Sequence, residues 1–191
     1  MQPESEMPRR LGLLALPLSV LGASSFGETV VDAFIETLDE RAGIVVDIGA
    51  NDGSWSKFVM QKAVRAGRSN LRFIMVEPNP RFTSSLHTLA DRYSGSSVIA
   101  AAAWTSPGSM TFHFAGMSES SSLLKPGAGR PGTTNMVPTI DLATSLASLL
   151  PSESSHAVLL KCDTQRRTPR TCQHALRKCD RPTIVQWCAH L

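Results

Sequence analysis

Short apolar runs rich in β-branched residues alternate with segments of helical periodicity, and this alternation constrains the fold more than any other feature of the chain. Ile44-Val45-Val46-Asp47-Ile48, Phe73-Ile74-Met75-Val76-Glu77, Val98 to Ala103 and Ala157-Val158-Leu159-Leu160-Lys161-Cys162 read as buried strands. Val30, Val31, Phe34, Ile35 and Leu38 recur at helical spacing, which predicts an amphipathic helix over 28–41. A capping box at Ser25-Phe26-Gly27-Glu28 would open that helix and Gly43 would close it. Trp55, Phe58, Val59 and Ala63 mark a second helix ending near Gly67, and Phe82, Leu86, Leu89, Ala90 and Tyr93 mark a third. The order strand, helix, strand, helix, strand predicts an α/β fold: a doubly wound parallel sheet with helices on both faces.

Beyond Ala103 the pattern loosens. Met110 to Phe114 reads as a strand after a Pro107-Gly108 turn, and 115–136, rich in Ser, Gly and Pro, reads as a surface loop. Val137 to Ile140 is extended, and Asp141 is placed to cap a helix running through Leu150. With 191 residues there is room for one ordinary domain. Hydrophobic residues at 42% against 18% charged can bury a core, which excludes a disordered polyelectrolyte. No apolar run reaches the roughly 18 residues of a membrane span.

Both ends differ from the middle. Arg9 and Arg10 precede a mostly apolar stretch, Leu11 to Ala23, followed by Ser24 and Ser25. This has the layout of a signal peptide, although Glu4, Glu6 and Pro17 fit it poorly. Residues 1–24 therefore read as a leader or signal segment, and otherwise as a segment packed on the domain of a cytoplasmic protein. Residues 1–160 carry a net charge of −2, whereas 161–191 carry +5 and all four cysteines. The basic tail alone gives no basic face for nucleic acid, so no nucleic-acid partner is expected. Cys172, His174, Cys179, Cys188 and His190 lack the close ligand pairs of zinc sites, and no metal is expected. Four cysteines do not make a disulfide scaffold.

The chemistry concentrates where the first strand meets its helix, at Asp47-Ile48-Gly49-Ala50-Asn51-Asp52-Gly53-Ser54. A glycine-containing turn there lets a ligand approach the backbone, and a helix N-terminus offers unpaired N–H groups. In doubly wound sheets ligands bind beyond the carboxyl ends of the strands. A dinucleotide fingerprint would need glycine at 51 and 54, where Asn51 and Ser54 stand. Glu77 ends the second strand, where a carboxylate can accept hydrogen bonds from ribose hydroxyls. The bland alternative is a tight Asn-Asp-Gly turn without a ligand.

Val46-Asp-Ile-Gly-Ala-Asn-Asp-Gly53 followed by Val76-Glu-Pro-Asn-Pro80 resembles the cofactor site of the FkbM-type S-adenosylmethionine-dependent methyltransferases. Ala101-Ala-Ala-Trp104 with Gly108 and Phe112, Ser120-Ser-Ser-Leu123, Val137-Pro-Thr-Ile-Asp141 and Leu160-Lys-Cys-Asp-Thr-Gln165 are similar to later motifs of that family, in the same order. The resemblance covers about residues 25–165 and implies a Rossmann-like methyltransferase domain there. It implies that Asp47, Gly49, Asn51 and Gly53 line the methionine and ribose parts of S-adenosylmethionine. Glu77 would bind the ribose hydroxyls with Asn79 nearby, and Ala103 and Trp104 would border the adenine. Asp163 would be the catalytic residue, facing the reacting methyl and orienting or deprotonating a hydroxyl of a small molecule or glycan.

The family's Gly-x-Glu after the fourth strand is absent, and Arg166-Arg-Thr-Pro-Arg170 stands in its place. That departure predicts a domain incomplete at its C-terminal side, with Val158, Leu159 and Leu160 on an exposed strand edge. The tail, 166–191, is expected to be too polar and Pro-interrupted to pair there, and to carry at most a short helix near Thr171–Cys179. It also leaves open a catalytically inactive remnant that acts, if at all, as a binding module.

Overall fold

The computed structural model describes residues 23–38, 42–115, 132–149, 156–163 and 184–188. Five parallel strands form the central sheet: β1 (Gly43–Ile48), β2 (Leu71–Val76), β3 (Ser97–Ile99), β7 (Ala157–Cys162) and β8 (Ile184–Cys188), in the spatial order β3-β2-β1-β7-β8. Helices α1 (Ala23–Thr37), α2 (Ser54–Arg65) and α3 (Thr83–Ala90) accompany it, with α4 (Leu142–Leu149) ahead of β7. A smaller sheet, β4 (Ala102–Trp104), β6 (Gly132–Asp141) and β5 (Gly108–Ala115), has β6 in the middle, antiparallel to β5 and parallel to β4. The chain is thus α/β, with a parallel central sheet flanked by helices. Among the described residues no helix is long and apolar enough to cross a membrane.

Strand alternation divides the core in two. Val45, Phe73, Met75 and Leu159 face α1, α2 and α3, meeting Phe34, Leu38, Val59, Met60 and Leu86. Ile44, Val46, Ile48, Ile74, Val76, Val158 and Leu160 face the other way, onto Leu142 and Leu146 of α4. Burying a side chain such as Phe73 or Leu159, each fully enclosed, contributes about 1.5–3 kcal/mol. Asp141 caps α4 as its sequence position predicts: Oδ1 accepts from the backbone N–H groups of Ala143 and Thr144, and Oδ2 from the Thr144 hydroxyl.

Several expectations are corrected. The first helix begins at Ala23, so Ser25 lies inside it rather than capping it; nothing from Ala23 to Phe26 breaks a helix. It ends at Thr37, and Gly43 opens β1 instead of closing the helix. A Cβ on Gly43 would strike the side chains of Leu71 and Leu38, so glycine is needed for close packing at the strand entry. Val98 to Ala103 is not one strand. The chain turns at Ile99, whose carbonyl accepts from Ala101 N–H, and β3 stays in the main sheet while β4 joins the smaller one. Of the loop expected over 115–136, Ala115 and residues 132–136 belong to strands, and 116–131 lie outside the described residues.

The largest correction concerns the C-terminal side. Val158, Leu159 and Leu160 are buried, because β8 pairs along β7 from Val158↔Ile184 to Cys162↔Cys188. The tail can pair because Pro169 and Pro182 both fall outside its β-forming run, Ile184-Val185-Gln186-Trp187-Cys188. Cys162 is disulfide-bonded, although the cysteine count suggests no scaffold. The leader before Ala23, the remainder of 166–191 with its expected helix, and the Ser120–Leu123 motif lie outside the described residues.

Candidate functional site

Register builds the site. Ile48 is level with Val76 on one side and with Cys162 on the other, so Gly49, Glu77 and Asp163 leave the sheet side by side at its carboxyl edge. Strand order reverses direction there: β2 and β3 lie to one side of β1, β7 and β8 to the other. Such a switch point opens a crevice beyond the strand ends. The chain is pinned there by Gly49 N–H and Ala50 N–H to Val76 O, Asp163 N–H to Ile48 O, and Glu77 N–H to Ile99 O, at 2.9–3.2 Å.

The turn after β1 uses three left-handed residues, Gly49 (φ 73°), Asn51 (φ 53°) and Gly53 (φ 82°). Gly53 precedes α2, and a Cβ there would approach Leu86 and Leu89 at 3.0 Å. Its glycine is therefore explained by backbone conformation and by packing on α3, rather than by ligand approach. Asp52 closes the turn, accepting from Ser54 N–H (2.9 Å) and the Ser54 hydroxyl (2.8 Å).

Glu77 is buried at 7% exposure, and both its oxygens hold the neighbouring backbone. Oε2 accepts from Asn51 N–H and Oε1 from Asn79 N–H, each at 2.8 Å. Each carboxylate oxygen keeps acceptor capacity for a second donor. Burial raises the Glu77 pKa above its ordinary value, helped by the Asp47 charge and opposed by the two N–H groups and Lys161. Asn79 is itself buried, and its Oδ1 accepts from Arg81 N–H (3.1 Å), capping a single 3₁₀ turn, Pro80–Phe82. The buried Oδ1 of Asn51 has no hydrogen-bond partner among the described residues.

Asp47 lies within β1, just short of the turn. It is fully enclosed on the α2 face of β1, and both oxygens are taken. Oδ2 accepts from the Ser56 hydroxyl (2.7 Å) and Oδ1 from the Lys161 ammonium (3.0 Å). Its side chain is enclosed between these two partners. Asp163, by contrast, keeps a side chain 33% exposed, with Oδ2 3.7 Å from Lys161 Nζ. Ala103 and Trp104 stand on β4, outside the central sheet, where they pair with Ile140 and Asp141. Ala103 packs against the α4-side core. The structure therefore gathers Gly49, Asn51, Glu77, Asn79 and Asp163 at one edge and sets Ala103 and Trp104 on a neighbouring sheet.

Sequence reasoning assigns no role to Ser56 or Lys161. Lys161 stands in the motif Leu160-Lys-Cys-Asp-Thr-Gln165, at the lysine of the Lys-x-Asp pattern that the resemblance rests on, and Ser56 lies one residue beyond Trp55 on the helix face that turns inward. No group of three or more potential metal-binding side chains occurs among the described residues. Comparison with family models, with curated proteins and with solved structures finds no match for the chain.

Proposed function

We propose that the chain is a Rossmann-like methyltransferase of the FkbM type that binds S-adenosylmethionine at the carboxyl edge of β1, β2 and β7. The acceptor in this reading is a hydroxyl of a small molecule or glycan. The observation that carries it is Glu77, a buried carboxylate with spare acceptor capacity that holds the backbone of Asn51, a residue whose own buried Oδ1 has no partner among the described residues. A diol fits this pair, because its hydroxyls donate where the protein leaves acceptors. When bound, the cofactor supplies a methyl group on a sulfonium, activated for in-line transfer to oxygen. Glu77 and the Asn51 turn orient the ligand, and positioning provides most of the rate. The partly exposed Asp163 carboxylate orients the acceptor hydroxyl and takes its proton.

A second reading is a binding module without catalysis. It is favoured by the lost Gly-x-Glu after Gln165, where Arg166-Arg167-Thr168-Pro169-Arg170 stands. The cytoplasmic location expected from the sequence has the Cys162 disulfide against it, since such bonds persist in oxidising compartments. Titration calorimetry with S-adenosylmethionine and S-adenosylhomocysteine tests the site; absence of heat with both rejects it. Transfer of a labelled methyl group to a panel of hydroxylated small molecules and glycans separates enzyme from binding module.

A further inference from the structure

Lys161 has no part in the reading above, yet it is the most connected charge near the site. It sits on β7 directly across from Asp47 on β1, 5% exposed. Parallel neighbours in register share a face of the sheet, so the two side chains meet beneath α2. An ammonium has three donors, and three acceptors surround this one. They are Asp47 Oδ1 at 3.0 Å, the Gly49 carbonyl at 3.4 Å and Asp163 Oδ2 at 3.7 Å. The Trp55 ring lies 5.4 Å from Nζ. Asp47 is fixed from its other side by Ser56.

A buried pair contributes little net stability over an apolar pair of similar volume. Stability alone therefore does not account for a lysine at this position. Its reach does: one charge spans the end of β1, the first residue of the ligand turn and the carboxylate beyond β7.

We propose that Lys161 is a positioning residue, which sets the Gly49 turn and the Asp163 carboxylate relative to each other through one ammonium anchored on Asp47. This rests on the reading of the edge as a cofactor and acceptor site. Lys161 itself touches neither ligand. Its ion pair takes Asp163 Oδ2 and leaves Oδ1 for the acceptor, while its hydrogen bond to the Gly49 carbonyl holds the turn that presents Asn51 to Glu77.

The test is a charge-neutral pair, Asp47→Asn with Lys161→Met, made in the full chain so that no buried charge is left alone. Amide hydrogen exchange is read at Gly49, Ala50 and Asn51, and at Phe73 and Met75 of β2 as the core reference. Binding of S-adenosylhomocysteine is read by calorimetry. The expected result is exchange about tenfold or more faster at the turn, with the β2 amides unchanged, and binding weakened about tenfold, the scale of one lost charged hydrogen bond. Turn exchange that stays at the wild-type rate, or that rises only in step with β2, overturns the proposal. If wild type does not bind S-adenosylhomocysteine but the turn still opens selectively in the variant, the cofactor reading fails and the positioning role stands. Should the double variant not fold, Asp163→Asn serves with nuclear magnetic resonance of the Lys161 ammonium. The Nζ resonance shifts if the ion pair exists in solution, and an unmoved resonance overturns the proposal.

Discussion

The two faces of the central sheet are built from the same strands but differ in kind. Toward α4, the inward side chains of β1, β2 and β7 are Ile44, Val46, Ile48, Ile74, Val76, Val158, Leu160 and Cys162, joined by Arg72, whose guanidinium donates to the Leu149 carbonyl at the end of α4. Toward α1, α2 and α3, the apolar set Val45, Phe73, Met75 and Leu159 is followed near the carboxyl edge by Asp47 and Lys161. The α4 face carries one charged side chain, the partly buried Arg72 near the amino end of β2, whereas the other face encloses an ion pair. That ion pair lies near the carboxyl edge, where Glu77 and Asp163 also emerge. Desolvated charges are costly unless paired, so their clustering at a switch point is better explained by a task at that edge than by folding.

The comparison breaks most readily at Lys161. Lys161→Met alone leaves Asp47 buried with only Ser56 as donor, and the expected cost in urea unfolding is about 4 kcal/mol, within the range for an orphaned buried charge. Adding Asp47→Asn should recover most of it. If the single and double variants are equally stable, the pair is not desolvated as described.

On the opposite face Leu146→Ala should cost about 3 kcal/mol through a cavity against the sheet. Ligand affinity of the folded fraction should not change, because Asn51, Glu77 and Asp163 take no part in that apolar cluster. A loss of binding in calorimetry would erase the functional distinction between the faces.

Glu77→Ala should weaken S-adenosylhomocysteine binding by about 1–3 kcal/mol, the scale of hydrogen bonds to a charged group left unmade. Unchanged affinity would remove Glu77 from the ligand site and leave it as a fastener of the Asn51 and Asn79 backbone.

The smallest effect is a pH dependence with opposite signs for binding and folding. The Glu77 pKa is raised above 4.5, chiefly by burial. Its protonated form is therefore favoured in the folded chain. This contribution to folding is fully present below the unfolded value and is lost as pH rises through the folded one. Ligand binding that uses the carboxylate runs the other way, falling as pH drops through the raised value. Calorimetry and unfolding curves between neutral pH and 4.5, compared with Glu77→Gln, should show these opposed slopes. A wild type that tracks the variant in both would place Glu77 at its ordinary pKa.

What the sequence determined by itself is local. Apolar runs located β1, β2 and β7, helical spacing located α2 and α3, and Asp141 announced its cap, because each signal lies within one element and its neighbours. The turn at Gly49–Gly53 and Glu77 at a strand end were legible for the same reason. The tertiary structure decided what depends on register between distant segments. Asp47 and Lys161 are 114 residues apart, and only the β1–β7 ladder sets them opposite each other. Ser56 became a partner of Asp47 only once α2 had packed on that face. The tail pairs as β8 because a parallel ladder needs a short run of β-forming residues and an open edge, and the average polarity of the surrounding segment does not forbid it. Periodicity records which side of an element is buried, whereas strand order and register follow from contacts between chain segments that periodicity does not encode.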